Sequence, residues 1–89
     1  MKAVNITVRG RVQGVYFRAS TTDKAIELGI KGWCSNQSDG SVLIHAEGDE
    51  ETLADFESWC RKGPMMASVV ELTKQEVESE AFSAFAIRY

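Results

Sequence analysis

The chain has few of the residues that build metal sites, redox centres and catalytic triads. Its 89 residues include one histidine, two cysteines and one proline. Cys34 and Cys60 form no Cys-x-x-Cys or Cys/His pattern, so we expect free thiols rather than metal ligands or a redox pair. A single histidine with no nucleophile beside it does not support a triad.

Long apolar runs are also missing. No run approaches the roughly 18–20 residues of a membrane helix, and Met1-Lys2 precedes an alternating segment instead of the apolar core of a signal peptide. We therefore expect a cytoplasmic protein that does not bind membranes. Its length and a hydrophobic content of 44% predict one domain over residues 1–89, and we expect a monomer.

The formal net charge of −3 is unevenly distributed along the chain. Residues 1–22 carry four basic residues and no acidic one, whereas residues 23–89 carry six basic and thirteen acidic residues. An acidic chain is not typical of a nucleic-acid binder, so we expect no nucleic-acid partner. The basic first quarter is still compatible with a small anionic ligand.

Apolar periodicity in the first half predicts a strand, a loop and a helix. Val4, Ile6 and Val8 alternate with polar residues in a strand that ends at Gly10. A helix is predicted from about residue 18 to Gly29, with Thr22, Ala25 and Ile26 at helical spacing. Two further strands, over residues 31–37 and 41–47, flank an Asp-Gly hairpin turn.

The second half contains the clearest helix. Asp49 is a suitable cap, Gly63-Pro64 ends the helix, and the buried stripe is predicted to be Leu53, Phe56, Trp59 and Cys60. A strand around residues 68–74, an acidic loop in solvent and a terminal strand over residues 85–89 follow. His45 is out of phase with its apolar neighbours, so we expect it exposed on the open sheet face; Trp33 and Trp59 are expected in the core.

This order of elements predicts an α+β fold of the ferredoxin-like split βαβ type. The sheet is expected to be mainly antiparallel, with an extra C-terminal strand and both helices on one face. A right-handed crossover makes the first two strands parallel, with the third between them. The loop after strand one and Asn36 near the end of strand two then share one sheet edge, about 10 Å apart.

The loop from Gly10 to Arg18 has the composition of an anion site. Glycines let backbone N–H groups converge on an anion, and the following helix adds the positive end of its dipole. Arg18 at the helix start can take two oxygens of a phosphate or carboxylate. The alternative is that the glycines only turn the chain, since neither a Walker A motif nor a Gly-x-Gly-x-x-Gly fingerprint is present.

These motifs resemble the acylphosphatase family. The matching segments are Val8-Arg9-Gly10-Arg11-Val12-Gln13-Gly14-Val15-Tyr16-Phe17-Arg18, Leu28-Gly29-Ile30-Lys31-Gly32-Trp33, Asn36, Asp39-Gly40 with Val42, and Phe85-Ala86-Ile87-Arg88-Tyr89. They occur in order over nearly the whole chain. The chain differs from the family just before Asn36, where Cys34-Ser35 replaces the common valine and basic residue.

The resemblance implies hydrolysis of small acyl phosphates to a carboxylate and inorganic phosphate, without a metal or organic cofactor. It implies that Arg18 binds the phosphate and that Asn36 orients the attacking water. It also implies that the terminal strand pairs parallel to strand two, which would bring Tyr89 to the active edge. There we expect either that the Tyr89 carboxylate holds Arg18 or that the segment is an ordinary terminal strand. The phosphate-binding loop implied by the resemblance is Gly10, Arg11, Val12, Gln13, Gly14, Val15 and Tyr16.

Two other classes of function remain open from the sequence. One is a non-catalytic anion sensor with the same loop, which would bind phosphate without turnover. The other is an RNA-recognition module, which shares the split fold. Its aromatic platform is missing from residues 41–47, so this second alternative has little support.

Overall fold

The computed structural model describes residues 1–89 as a five-stranded sheet with two helices packed on one face. The elements are β1 (Lys2–Arg11), α1 (Phe17–Leu28), β2 (Lys31–Asn36), β3 (Val42–Gly48), α2 (Glu50–Lys62), β4 (Ser68–Val77) and β5 (Phe85–Arg88). The strand order is β4-β1-β3-β2-β5, and only β2 and β5 pair in parallel. The predicted ferredoxin-like fold with its extra C-terminal strand is confirmed.

The core lies between the sheet and the helices. Ile6 of β1 and Ile44 of β3 have no exposed surface, because strand alternation directs both side chains towards the helices. Helix α2 covers them, with Leu53, Phe56 and Cys60 buried and Trp59 half-buried beside them. Asp49 caps α2 as predicted, since its Oδ1 accepts from the Thr52 N–H at 2.8 Å. Neither helix is long and apolar enough to cross a membrane.

Helix α1 buries a different stripe from the predicted one. Phe17, Thr21 and Ala25 are buried, whereas Ile26 is 64% exposed, so of the three residues noted for their helical spacing only Ala25 belongs to the buried stripe. Phe17 packs against Trp59 of α2, with the two ring centroids 5.9 Å apart. Residues four apart lie on one helix face, so the buried stripe of α1 continues from Phe17 to the smaller residues Thr21 and Ala25.

The prediction that His45 is exposed was also wrong. His45 is 2% exposed and Glu47 has no exposed surface, although both lie on the sheet face opposite the helices. Residues 78–84, which we call the strap, fold back over this face, and the Phe82 ring packs edge-on against the His45 ring at 5.4 Å. Trp33 is half-buried here rather than in the core, stacked 5.9 Å from His45. The strap keeps its acidic side chains in solvent but uses its backbone to cover the sheet.

Candidate active site

The connection between β1 and α1 contains two residues with left-handed backbone conformation. Gly14 has φ 74° and Tyr16 has φ 62°. Glycine adopts this conformation freely, but a residue with a Cβ does so at a cost of roughly 1–2 kcal/mol. Strain of this kind persists where the surrounding structure imposes it, and it clusters at functional sites. Tyr16 marks the point at which the loop turns into the helix.

The first turn of α1 presents unpaired N–H groups. Tyr16 is the N-cap residue, but its side chain makes no capping hydrogen bond and the turn contains no acidic residue. The Ser20 N–H is the first to bond within the helix, to the Tyr16 carbonyl at 3.0 Å. The N–H groups of residues 17–19 precede it and have no acceptor in the helix. Together with the helix dipole, they favour a bound anion.

A cavity of about 360 Å³ opens at this turn. It brings together the two residues that the topology placed at one sheet edge, Arg18 of α1 and Asn36 of β2. The C-terminal strand contributes Ile87, and Tyr89 follows it. The complete lining is Val12, Gly14, Tyr16, Phe17, Arg18, Ala19, Asn36, Ile87 and Tyr89.

Arg18 is the only basic residue that lines the cavity. Its guanidinium forms no ion pair within the protein. Its backbone is held firmly, since the Thr22 hydroxyl donates to the Arg18 carbonyl at 2.8 Å and the Cys34 thiol donates to it at 3.7 Å. The planar donor group is therefore available to an anion, with its backbone fixed beneath it.

Tyr89 reaches Arg18 through its ring. The guanidinium carbon lies 5.1 Å from the centroid of the Tyr89 ring, a cation–π contact. Of the two alternatives for Tyr89, an ion pair between its carboxylate and Arg18 is not formed. The contact depends on the parallel pairing of β5 with β2, which places the end of β5 beside the end of β2.

Asn36 contributes a polar atom without a partner. It is the last residue of β2, opposite Val42 of β3, and its Oδ1 is buried and makes no hydrogen bond. An unsatisfied buried acceptor costs about 1–3 kcal/mol, and of the three residues with an unpaired buried side-chain atom only Asn36 lines the cavity. Its position at the cavity suggests a ligand or water as the missing donor.

The predicted phosphate-binding loop divides into residues that line the cavity and residues that do not. Val12, Gly14 and Tyr16 line it. Gly10 and Arg11 instead lie within β1, opposite Val69 and Ser68 of β4. A Cβ on Gly10 would lie 2.2 Å from the Ser68 carbonyl oxygen, so the close approach of β1 and β4 requires a glycine at this position. The other two residues are Val15, which is in the core, and Gln13, whose side chain bonds to the β2–β3 turn.

Some of the basic residues near the loop do not face the cavity. Arg9 forms ion pairs with Asp39 at 2.7 Å and Glu71 at 3.6 Å, away from the cavity. Hydrogen bonds from the Ser41 side chain and from Arg9 hold the pKa of Asp39 well below its usual range. The basic residues that are close together in the sequence therefore predict more positive charge at the cavity than a ligand would meet.

Both cysteines are buried free thiols, as expected. Burial raises the pKa of both Cys34 and Cys60. Thiols with raised pKa values are weak nucleophiles at neutral pH. No group of three or more histidine, cysteine and acidic residues is arranged to hold a metal ion.

Sequence reasoning from motifs missed three lining residues, Phe17, Ala19 and Ile87. Ala19 follows Arg18 within the predicted helix, so the first helical turn already contained it. Phe17 would have been included by a helix beginning one residue earlier than predicted. Ile87 could have been found from the alternation of the terminal strand, once its parallel partner was known.

Comparison with known proteins identifies the family of the chain. A family model described as Acylphosphatase matches residues 4–87. The acylphosphatase of Methylococcus capsulatus is 47% identical over 88 residues, covering 98% of this chain and 96% of the relative. That of Thermotoga maritima is 47% identical over 89 residues, covering 100% and 99%. The crystal structure of acylphosphatase from Bacillus subtilis superposes with a TM-score of 0.96 at 37% identity, covering 100% of both chains. The chain therefore belongs to the acylphosphatase family.

Proposed function

We propose that the protein hydrolyses the carboxyl–phosphate bond of small acyl phosphates, with the phosphate bound at the first turn of α1. The observation that carries the proposal is the convergence of Arg18, the unpaired N–H groups of α1 and Asn36 on one cavity. Family membership supports the choice of bond, since the relatives are named for this activity. The proposed phosphate-binding residues are Arg18 and the loop around Gly14.

The chemistry of an acyl phosphate suits a site with few catalytic groups. Its leaving group is a carboxylate, whose conjugate acid has a pKa of about 4, so it departs at neutral pH without a general acid. Phosphoryl transfer then requires positioning and donors around the equatorial oxygens. Arg18 supplies a planar pair of donors, and the N–H groups of α1 supply the others.

We assign orientation of the attacking water to Asn36. Its amide oxygen accepts a hydrogen bond from water, which directs the water lone pair towards phosphorus. Attack forms the new P–O bond as the bond to the acyl oxygen breaks, and that electron pair leaves with the carboxylate. An amide is too weak a base to take the proton, so the proton of the water passes to the phosphate product.

The proposal includes metal independence, which a direct assay tests. Purified protein is expected to hydrolyse acetyl phosphate and benzoyl phosphate at the same rate with and without excess EDTA. Loss of activity in EDTA would contradict metal independence. Phosphate binding with no turnover of either compound would instead identify an anion sensor.

A charge-deletion pair tests the role of Arg18. Arg18→Ala is expected to lower kcat/KM by on the order of 10³-fold, as for other arginines that stabilise a phosphoryl-transfer transition state. Arg61→Ala removes the same charge from the exposed last turn of α2 and serves as the matched control. Equal rates for the two folded variants would remove Arg18 from the mechanism.

A further inference from the structure

The side chain of Gln13 joins the β1–α1 loop to the β2–β3 turn, two segments that each adjoin residues lining the cavity. Its Nε2 donates one hydrogen bond to the Gln37 carbonyl at 2.8 Å and another to the Ser41 carbonyl at 2.9 Å. Both hydrogens of the amide are therefore used. The partners lie 24 and 28 residues further along the chain, at the two ends of the turn between β2 and β3.

The positions of these contacts relate them to the proposed chemistry. Gln13 lies between Val12 and Gly14, both of which line the cavity. Gln37 directly follows Asn36, which also lines it. The amide of Gln13 thus connects the loop that would hold the phosphate to the residue beside the one that would hold the water.

We propose that Gln13 is a positioning residue that fixes the separation between the bound phosphate and the water held by Asn36. This inference rests on the proposed function. In-line attack requires the water oxygen about 3–3.5 Å from phosphorus along the axis of the breaking bond, and small misplacements lower rates steeply. The Gln13 hydrogen bonds between the β1–α1 loop and the β2–β3 turn set this distance before the substrate binds.

The turn itself does not need Gln13 to stay closed. The Gln37 N–H donates to the Ser41 carbonyl at 2.8 Å, and the Gly40 N–H donates to the Gln37 carbonyl at 3.1 Å. Asp39 further accepts from the Ser41 N–H at 3.0 Å and from the Ser41 hydroxyl at 2.6 Å. Without the Gln13 amide, each carbonyl keeps a backbone donor, and the connection to the loop is what is lost.

Gln13→Met is the variant that isolates this connection, because it keeps length and volume while removing both donors. We expect kcat for benzoyl phosphate to fall about 10-fold or more, with KM and the inhibition constant of inorganic phosphate changed less than about 3-fold, since phosphate would still bind Arg18. Gln75→Met, the same substitution on the exposed β4 strand, is the matched control.

A double-mutant cycle with Asn36→Ala separates positioning from general destabilisation. If Gln13 acts through the water of Asn36, then Gln13→Met has little further effect on kcat once Asn36 is alanine. Should Gln13→Met not fold, Gln13→Asn makes the same test, because its amide is one methylene too short to reach both carbonyls.

Three results would each overturn the inference about Gln13. The first is an unchanged kcat in the folded Gln13→Met variant, and the second is a double variant in which the two losses of kcat multiply. The third is a loss of phosphate affinity as large as the loss of kcat. These outcomes leave the proposed function intact, since the wild-type protein remains active in all of them. A wild-type protein that hydrolyses no acyl phosphate overturns both.

Discussion

Replacing the buried Glu47 with glutamine tests how the strap is held on the sheet. The Oε2 atom of Glu47 accepts from His45 Nε2 at 2.8 Å and from the Glu80 N–H at 2.6 Å. Its Oε1 atom accepts from the Phe82 N–H at 3.1 Å. One carboxylate thus binds two backbone donors of the strap and the only histidine.

The expected magnitude follows from these contacts. Glutamine keeps one acceptor oxygen and replaces the other with an NH₂ group, which cannot accept from a backbone N–H. A hydrogen bond to a charged group is worth about 1.5–3 kcal/mol, and leaving a buried donor unpaired costs about 1–3 kcal/mol. Glu47→Gln should therefore lower the free energy of unfolding by roughly 3–5 kcal/mol, a large part of the usual ~5–15 kcal/mol.

Urea unfolding at pH 7, followed by circular dichroism, measures this change. Glu78→Gln removes an exposed carboxylate at the start of the strap and is expected to change stability by less than about 0.5 kcal/mol. A difference below about 1 kcal/mol between Glu47→Gln and this control would refute the argument, because it would mean that the buried bonds contribute little.

The pH dependence gives a second test of the same carboxylate. Burial alone would raise the pKa of Glu47, but hydrogen bonds from His45 and from the Glu80 and Phe82 N–H groups outweigh it and hold the pKa below its ordinary value. The folded state then binds the proton less readily than the unfolded state, whose pKa is about 4.3. The stabilisation is complete above that value and is lost as pH falls through the lowered pKa. A stability difference that grows on acidification would contradict this sign.

Three further predictions follow from the site and its surroundings. Asn36→Ala should lower kcat by at least roughly 10²-fold, and near-normal turnover of acetyl phosphate by the folded variant would exclude its assigned role. Gly10→Ala should lower the free energy of unfolding by roughly 2–4 kcal/mol, because its Cβ would overlap the β4 backbone, whereas Gly40→Ala meets nothing within 4 Å and should cost about 1–2 kcal/mol for its backbone alone. Cys34 and Cys60 should react slowly with a thiol reagent until the protein is denatured; rapid reaction of the native protein would contradict their burial.

Features that depend on neighbouring residues could be predicted from the sequence. The alternation of Val4, Ile6 and Val8 and the cap at Asp49 are local, so β1 and α2 were recognised from spacing alone. The order of the elements then limited the topology, because right-handed crossover leaves few arrangements. That topology correctly placed Arg18 and Asn36 at one edge of the sheet.

Features that depend on distant residues were decided only by the tertiary structure. His45 has the spacing of an exposed strand residue, yet the strap more than thirty residues later buries it with Glu47. Arg9 directly precedes the glycine loop in the sequence, yet it forms ion pairs with Asp39 and Glu71 instead of facing the cavity. Periodicity reports which way a side chain points, whereas its burial and its partner depend on which remote segment packs against it.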